Sequence, residues 1–143
     1  MSEVQGPKSK VYKQTRREVA RRLAEALEKR PEIVFAYLHG SFQEGLPFRD
    51  VDVAVFVEKG MVEDPVWYAI RLGVTLTKSL RLPVDVQVLN DAPLPFQFSA
   101  CKGEVLVCRD EEGRLDFLER TWDAYWDFRP FLKEYLRELV SGD

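Results

Sequence analysis

The sequence predicts an α+β domain in which helices pack against a small mixed β-sheet of about four strands. Four short runs are rich in Val, Ile and aromatic residues, which is typical of buried strands. They cover residues 33–38, 51–57, 83–90 and 104–108. Helical patterns separate most of these runs, so an α/β arrangement is the alternative. A chain of 143 residues can bury one core, and we expect a single domain over residues 1–143.

Helices are predicted where apolar residues recur at helical spacing between residues that begin or end helices. Asp64 and Pro65 are typical of the N-cap and first turn of one helix, and Pro31 ends another. The aromatic-rich C-terminal segment is predicted to be helical, with an interruption at Pro130. The predicted helices cover residues 15–31, residues 64–81, a short stretch between residues 91 and 103, and about 115–140.

The composition argues against several classes of function. Hydrophobic residues make up 45% and charged residues 31% of the chain, which is typical of a globular protein in water. The formal net charge of −3 argues against a nucleic-acid-binding surface. No apolar run approaches the roughly 20 residues that span a membrane, and the N-terminal segment lacks the apolar core of a secretory signal. We therefore expect a cytoplasmic protein in which Cys101 and Cys108 are reduced thiols.

Three aspartates precede or interrupt apolar runs. Asp50 and Asp52 stand at the head of the run 51–57, and the two-residue period of a strand points both to the same face. Asp85 interrupts the run that follows the next helix, so pairing of the two strands would bring all three carboxylates together. Like charges this close need compensation, which a divalent cation supplies. Oxygen-only ligands favour Mg²⁺ or Mn²⁺ over zinc, and His39, the one histidine, argues against a His-rich metal site.

A Gly-Ser pair stands between the first predicted strand and these aspartates. Gly40 allows the backbone to approach a ligand closely, and Ser41 offers a hydroxyl and an amide N–H. If residues 41–45 form a short helix ended by Gly45, its N-terminus favours a phosphate group. Mg²⁺ usually binds through a few carboxylates together with substrate phosphates, so a triphosphate completes the predicted site.

The order of strand, Gly-Ser, Asp-x-Asp on a second strand and a third Asp on a later strand resembles the DNA polymerase β-like nucleotidyltransferase superfamily. The resemblance is carried by the segments LHGSF, DVDVAVF and VDVQVLN. The short chain and VDVQVLNDAP…GEVLVCRD look more narrowly like the minimal nucleotidyltransferase (MNT) antitoxins, which are encoded beside HEPN-domain toxins. By position, Gly40 and Ser41 match the phosphate-contacting pair. Asp50 and Asp52 match the metal ligands, and Asp85 matches the third carboxylate of the metal site, which helps to activate the nucleophile.

The resemblance implies a nucleotidyltransferase fold, the use of ATP with Mg²⁺ or Mn²⁺, and the transfer of AMP to a hydroxyl. In MNT antitoxins the acceptor is a tyrosine of the cognate HEPN toxin. Two alternatives remain open: transfer to the hydroxyl of a small molecule, and neutralisation of a toxin by binding alone. Glu44 stands where many relatives carry a basic residue, so Arg49 and Lys59 are the candidates for that phosphate contact.

Two further features have both a structural and a functional interpretation. His39 is expected to be structural, with contact to a phosphate as the alternative. In the C-terminal segment, Leu118, Trp122 and Tyr125 share one helical face. We expect this face to cover the sheet, as a small domain requires. The alternative is a docking surface for a toxin, or for a second copy of the chain in a homo-oligomer.

Overall fold

Four strands and five helices make up the part of the chain that the computed structural model describes, residues 5–46 and 49–141. The strands are β1 (Ile33–His39), β2 (Val51–Val57), β3 (Val84–Val88) and β4 (Glu104–Cys108). The helices are α1 (Gln5–Glu28), α2 (Gly40–Glu44), α3 (Pro65–Leu80), α4 (Leu94–Ala100) and α5 (Glu111–Ser141). The predicted α+β class with a mixed four-stranded sheet is confirmed.

The four strands lie in the order β3-β2-β1-β4. β1 is antiparallel to β2 and to β4, whereas β2 and β3 are parallel. Parallel neighbours need a long crossover connection, and α3 provides it. The start of β3 therefore lies beside the start of β2, at the end of the sheet where β1 finishes.

One face of the sheet packs against α1 and α3. Side chains alternate along a strand, so every second residue of β2 points to this face, and its four valines are all buried. Both helices contribute buried leucines to the same cluster, among them Leu23 and Leu27 of α1 and Leu72 and Leu76 of α3. Each such side chain contributes about 1.5–3 kcal/mol when fully buried. This cluster is the larger of the two cores found among the described residues.

The opposite face packs against α4 and the first half of α5. Phe35 of β1 stacks on Phe56 of β2 with ring centroids 4.8 Å apart, and Phe117 of α5 contacts both rings. This aromatic cover does not extend to the start of β2 and β3. There Asp52 is only half-buried and Asp85 is exposed.

Two helix ends follow the predicted capping chemistry. The Asp64 carboxylate accepts a hydrogen bond from the backbone N–H of Trp67 at 3.2 Å, and Pro65 opens α3. The short helix α2 ends at Gly45, whose φ of 80° is a conformation that residues with a Cβ rarely adopt. The chain therefore turns sharply out of α2 before it reaches β2.

α5 is longer than predicted and runs without a break from Glu111 to Ser141. The expected interruption at Pro130 is wrong. A proline in a helix removes one hydrogen bond, and here the proline lies on an exposed stretch, where water can pair with the freed carbonyl. Neither α5 nor any other helix in the described part of the chain has the length and apolarity needed to cross a membrane.

Candidate active site

Three polar side chains lie in a row across neighbouring strands at one end of the sheet. In the antiparallel register of β1 and β2, His39 lies opposite Asp52. In the parallel register of β2 and β3, Asp52 lies opposite Asp85. Alternation along each strand puts all three on the face that carries α4. The structure thus brings Asp52 and Asp85 side by side, as the sequence pattern predicted.

Asp50 occupies a different position from the other two aspartates. It is exposed and lies one residue before β2 begins, so it does not share the strand geometry of Asp52. Its negative charge nevertheless contributes to the raised pKa of Asp52, which places it near that carboxylate. Within residues 5–46 and 49–141, no three His, Cys, Asp or Glu side chains are already gathered closely enough to hold a metal ion.

The surroundings of the Asp52 carboxyl disfavour its charged form. Burial first, and then the negative charges of Asp85 and Asp50, raise its pKa from 3.8 to about 6. No cation or hydrogen-bond donor of the described residues pairs with this carboxylate. Near neutral pH the site therefore holds unneutralised negative charge, which a bound cation would stabilise.

Gly40 brings the backbone of α2 directly against Asp52. Its φ is 82°, in the left-handed region, and a Cβ built on it would lie 2.3 Å from Oδ2 of Asp52. Any residue with a side chain would therefore push the carboxylate away. Ser41 follows in the first turn of α2 and is exposed. The Gly-Ser pair and the aspartates consequently belong to one small region of the surface.

The structure supports the structural interpretation of His39. Its imidazole packs edge-on against Phe96 of α4, with centroids 5.4 Å apart. Burial lowers the pKa of His39, while the charge of Asp85 acts in the opposite direction.

Sequence reasoning missed the part that Gly103 plays beside this ring. A Cβ on Gly103 would lie 2.2 Å from the carbonyl oxygen of Leu38 and 3.0 Å from Cβ of His39. The turn between α4 and β4 can thus approach the end of β1 only because this residue lacks a side chain. A single glycine between a predicted helix and a predicted strand was the available signal.

Of the two basic residues proposed for a phosphate contact, Lys59 is in the wrong place. It follows the far end of β2 and lines a cavity of about 620 Å³ between the sheet, α4 and α5. Val57 lies five residues after Asp52 along the extended strand, which is a distance of about 16 Å. Lys59 therefore cannot reach a ligand bound at Asp52 without a large rearrangement. Arg49 precedes Asp50 and is exposed, so it remains the candidate.

The fold of this sheet and its helices is that of a nucleotidyltransferase domain. The family model described as "Polymerase beta, Nucleotidyltransferase" matches residues 21–112, and the chain belongs to that family. The comparison with curated proteins gave no match.

Several solved structures have a similar fold, and three illustrate it. One is a toxin–antitoxin structure described as MntA-HepT, with a TM-score of 0.69 at 17% identity over 87% of this chain and 98% of that chain. A second, a toxin–antitoxin with AMP-PNP, gives 0.71 at 19% identity over 85% and 98%. The third, tri-AMPylated Shewanella oneidensis HEPN toxin in complex with MNT antitoxin, gives 0.70 at 17% identity over 87% and 98%. At these identities the likeness is one of fold.

The residues at the site fit a divalent metal with a triphosphate. The three aspartates offer only oxygen ligands, which Mg²⁺ and Mn²⁺ prefer. Mg²⁺ typically takes one or two protein carboxylates and completes its shell with phosphate oxygens and water. Three protein ligands therefore need not already surround the metal position. Asp85 and Asp50 are exposed, so a nucleotide can approach the site.

Proposed function

We propose that this protein transfers AMP from ATP to a protein hydroxyl, and that it acts in this way as the antitoxin of a HEPN-domain toxin. The observation that carries the proposal is the position of Asp52. It lies level with Asp85 on the adjacent strand, in contact range of Gly40, and without a neutralising partner among the described residues. Membership of the nucleotidyltransferase family agrees with this chemistry.

Different residues of the site bind the metal and the nucleotide. Asp50, Asp52 and Asp85 hold Mg²⁺, or Mn²⁺, and Gly40 and Ser41 contact the phosphates of ATP. When bound, the metal supplies positive charge that activates the attacking oxygen and stabilises the leaving one. Gly40 keeps the backbone close to Asp52 because it has no side chain. Ser41 is exposed and can donate its hydroxyl to a phosphate oxygen.

Asp85 takes the part of the general base. The acceptor hydroxyl attacks the α-phosphorus of ATP, its O–P bond forms, and the bond to pyrophosphate breaks. The proton of the hydroxyl passes to a carboxylate within reach, and Asp85 is exposed at the edge of the sheet where an acceptor can approach. The products are the AMP-modified acceptor, pyrophosphate and a proton.

A tyrosine of the cognate HEPN toxin is the proposed acceptor. One structure with the same fold is an MNT antitoxin in complex with a tri-AMPylated HEPN toxin. A toxin–antitoxin structure with AMP-PNP has the same fold as well. These likenesses support a protein acceptor over a small molecule. Both partners would then meet in the cytoplasm.

Neutralisation at low molar ratio tests the proposal. A HEPN-domain protein, if one is encoded beside the gene of this protein, is the toxin to use, and its activity is measured against rising amounts of the proposed antitoxin. We expect full neutralisation well below one molar equivalent, only with ATP and Mg²⁺, and none by the Asp50→Asn/Asp52→Asn double variant. Neutralisation that needs one equivalent and survives in the double variant would show a binding antitoxin instead.

A further inference from the structure

β3 is an edge strand whose outer side pairs with no other strand in the described chain. In the sheet order β3-β2-β1-β4, its one neighbour is β2. Backbone N–H and C=O groups point alternately to the two sides of a strand. Pro83 and Leu89 bond to β2 through their backbone groups. The even-numbered residues between them, Val84, Val86 and Val88, therefore point their backbone groups away from the sheet.

The outer backbone groups of two of these valines are open. Thr77 of α3 occupies the first position: the N–H of Val84 donates to Oγ1 of Thr77 at 2.9 Å, and the hydroxyl donates back to the carbonyl of Val84 at 3.4 Å. No described residue bonds to the outer groups of Val86 and Val88. A row of unpaired N–H and C=O groups on a sheet edge is a template for an added strand. The edge thus offers two donors and two acceptors to an extended segment of another chain.

An apolar groove, which we call the β3 groove, runs beside this open edge. It consists of two adjoining cavities of about 480 Å³ and about 430 Å³, and both are lined by Ala69, Ile70 and Val86. One wall is the edge of β3. The other is a stripe on α3 formed by Val66, Ile70 and Val74, which are spaced four residues apart and are between 49% and 69% exposed. Apolar side chains on one face of an added strand would be buried in this groove.

The opposite face of β3 carries the candidate active site. Asp85 and Gln87 are exposed on the α4 face, whereas the valines between and beside them point to α3. His39, Asp52 and Asp85 form a row across three neighbouring strands. A strand added beside β3 would extend the row by one residue, whose Cβ would lie about 4.5–5.5 Å from that of Asp85. A tyrosine at this position is long enough to bring its hydroxyl over the Asp85 carboxylate.

We propose that the acceptor segment of the partner protein binds as an additional β-strand along β3, with its tyrosine opposite Asp85 and apolar residues in the β3 groove. This inference rests on the proposed function and adds the form in which the acceptor is recognised. Side chains alternate along a strand, so the residues on each side of a tyrosine that points to the α4 face must point to α3. The acceptor tyrosine is therefore flanked by apolar residues.

The position of Thr77 also sets which part of the segment is paired. Because Thr77 occupies the outer groups of Val84, the added strand can bond only to Val86 and Val88, on one side of the tyrosine. Antiparallel pairing is the more stable per residue. In that orientation the paired part precedes the tyrosine in sequence.

Hydrogen exchange of single backbone amides tests the binding mode. The protein is mixed, without ATP, with the HEPN-domain toxin of the neutralisation assay. We expect the amides of Val86 and Val88 to exchange about tenfold or more slowly in the complex. The amides of Asp85 and Gln87 face β2 and are the internal control, so they should change less. Unchanged exchange at Val86 and Val88, or failure to form a complex, would overturn the added strand.

Steady-state AMP transfer by two matched variants tests the groove. Ile70→Glu places a charge in the β3 groove and should raise the KM for the toxin about tenfold or more, with little change in kcat. Leu136→Glu, on the exposed end of α5, should leave this KM unchanged. The two residues are each 49% exposed, and circular dichroism establishes that both variants fold. The reverse ranking would assign acceptor binding to α5 and contradict the proposal.

Two substitutions of Val88 test the backbone contacts. Val88→Pro removes the outer N–H, and an edge strand tolerates proline where its N–H points outward. Val88→Ala shortens the side chain but keeps the N–H. We expect the proline variant to raise the KM for the toxin several-fold more than the alanine variant. Equal effects would show that the backbone of β3 takes no part in binding.

The outcomes separate the binding mode from the proposed activity. Slower exchange at Val86 and Val88 without any AMP transfer would support the added strand and contradict the activity. AMP transfer with an unchanged KM in both Ile70→Glu and Val88→Pro would leave the activity in place and overturn the added strand.

Discussion

Replacing Asp52 by asparagine should stabilise the metal-free protein near neutral pH. The substitution keeps the shape of the side chain but removes a charge that is half-buried beside Asp85 and Asp50. The folded pKa of about 6 lies above the ordinary value of 3.8. Deprotonation therefore costs folding free energy, and the cost appears as the pH rises from about 4 through about 6.

The size of the effect follows from that difference in pKa. A difference of about 2 units corresponds to about 3 kcal/mol at high pH. Because the side chain is partly exposed, solvent screening reduces this to about 1–2 kcal/mol. For a chain of this length, that is a rise in Tm of about 3–8 °C.

Thermal unfolding in EDTA at a series of pH values measures the effect. We expect the Tm of Asp52→Asn to exceed that of the wild type by the full amount at pH 8, and by only about one fifth of it at pH 4. Asp91→Asn, at an exposed carboxylate in the turn after β3, is the control and should change little. An equal or lower Tm for Asp52→Asn at pH 8 would refute the argument that this carboxylate lies among uncompensated like charges.

Three further predictions concern the same site. Gly40→Ala should destabilise the protein by about 1–3 kcal/mol and weaken nucleotide binding, measured by chemical unfolding and calorimetry, because its Cβ would meet Asp52. Gly60→Ala is the matched control, since Gly60 also has a positive φ but no atom within 4 Å of its Cβ position. In thermal unfolding, Mg²⁺ and ATP together should raise the Tm by more than the sum of their separate effects, and additive shifts would count against a shared site. Asp85→Asn should reduce AMP transfer by about 10²-fold or more while ATP binding persists, whereas Asp50→Asn with Asp52→Asn should weaken the binding itself. Equal loss of binding in both would contradict this division of roles.

The strands that carry the site could be predicted because their signals are local. The run 51–57 is apolar apart from Asp52, and the structure has β2 with the same bounds. To predict that Asp52 and Asp85 lie side by side, one further assumption was needed, namely that their two strands pair. The single helical crossover through α3 favours that parallel pairing, because consecutive strands joined in this way usually lie beside each other.

Other features depend on distances that a linear sequence does not give. Lys59 is close to Asp52 in sequence, but it follows Val57, which the extended strand places about 16 Å from Asp52. The proximity of Gly103 to Leu38 joins elements far apart in the chain. The helix also continues through Pro130, because an exposed helix can lose one hydrogen bond to water. Aromatic residues in the first half of α5 pack against the sheet, whereas those in the second half lie beyond its end and are exposed. No local sequence pattern marks the position along the helix at which the sheet ends.

The most direct test of the account is the intact mass of a HEPN-domain toxin after incubation with a catalytic amount of this protein, ATP and Mg²⁺. The proposed AMP transfer predicts a mass increase of one or more AMP units, located on tyrosine by fragmentation, and no increase with the Asp50→Asn/Asp52→Asn variant. It would be contradicted by a toxin that keeps its original mass and is nevertheless fully inhibited, at equal molarity only.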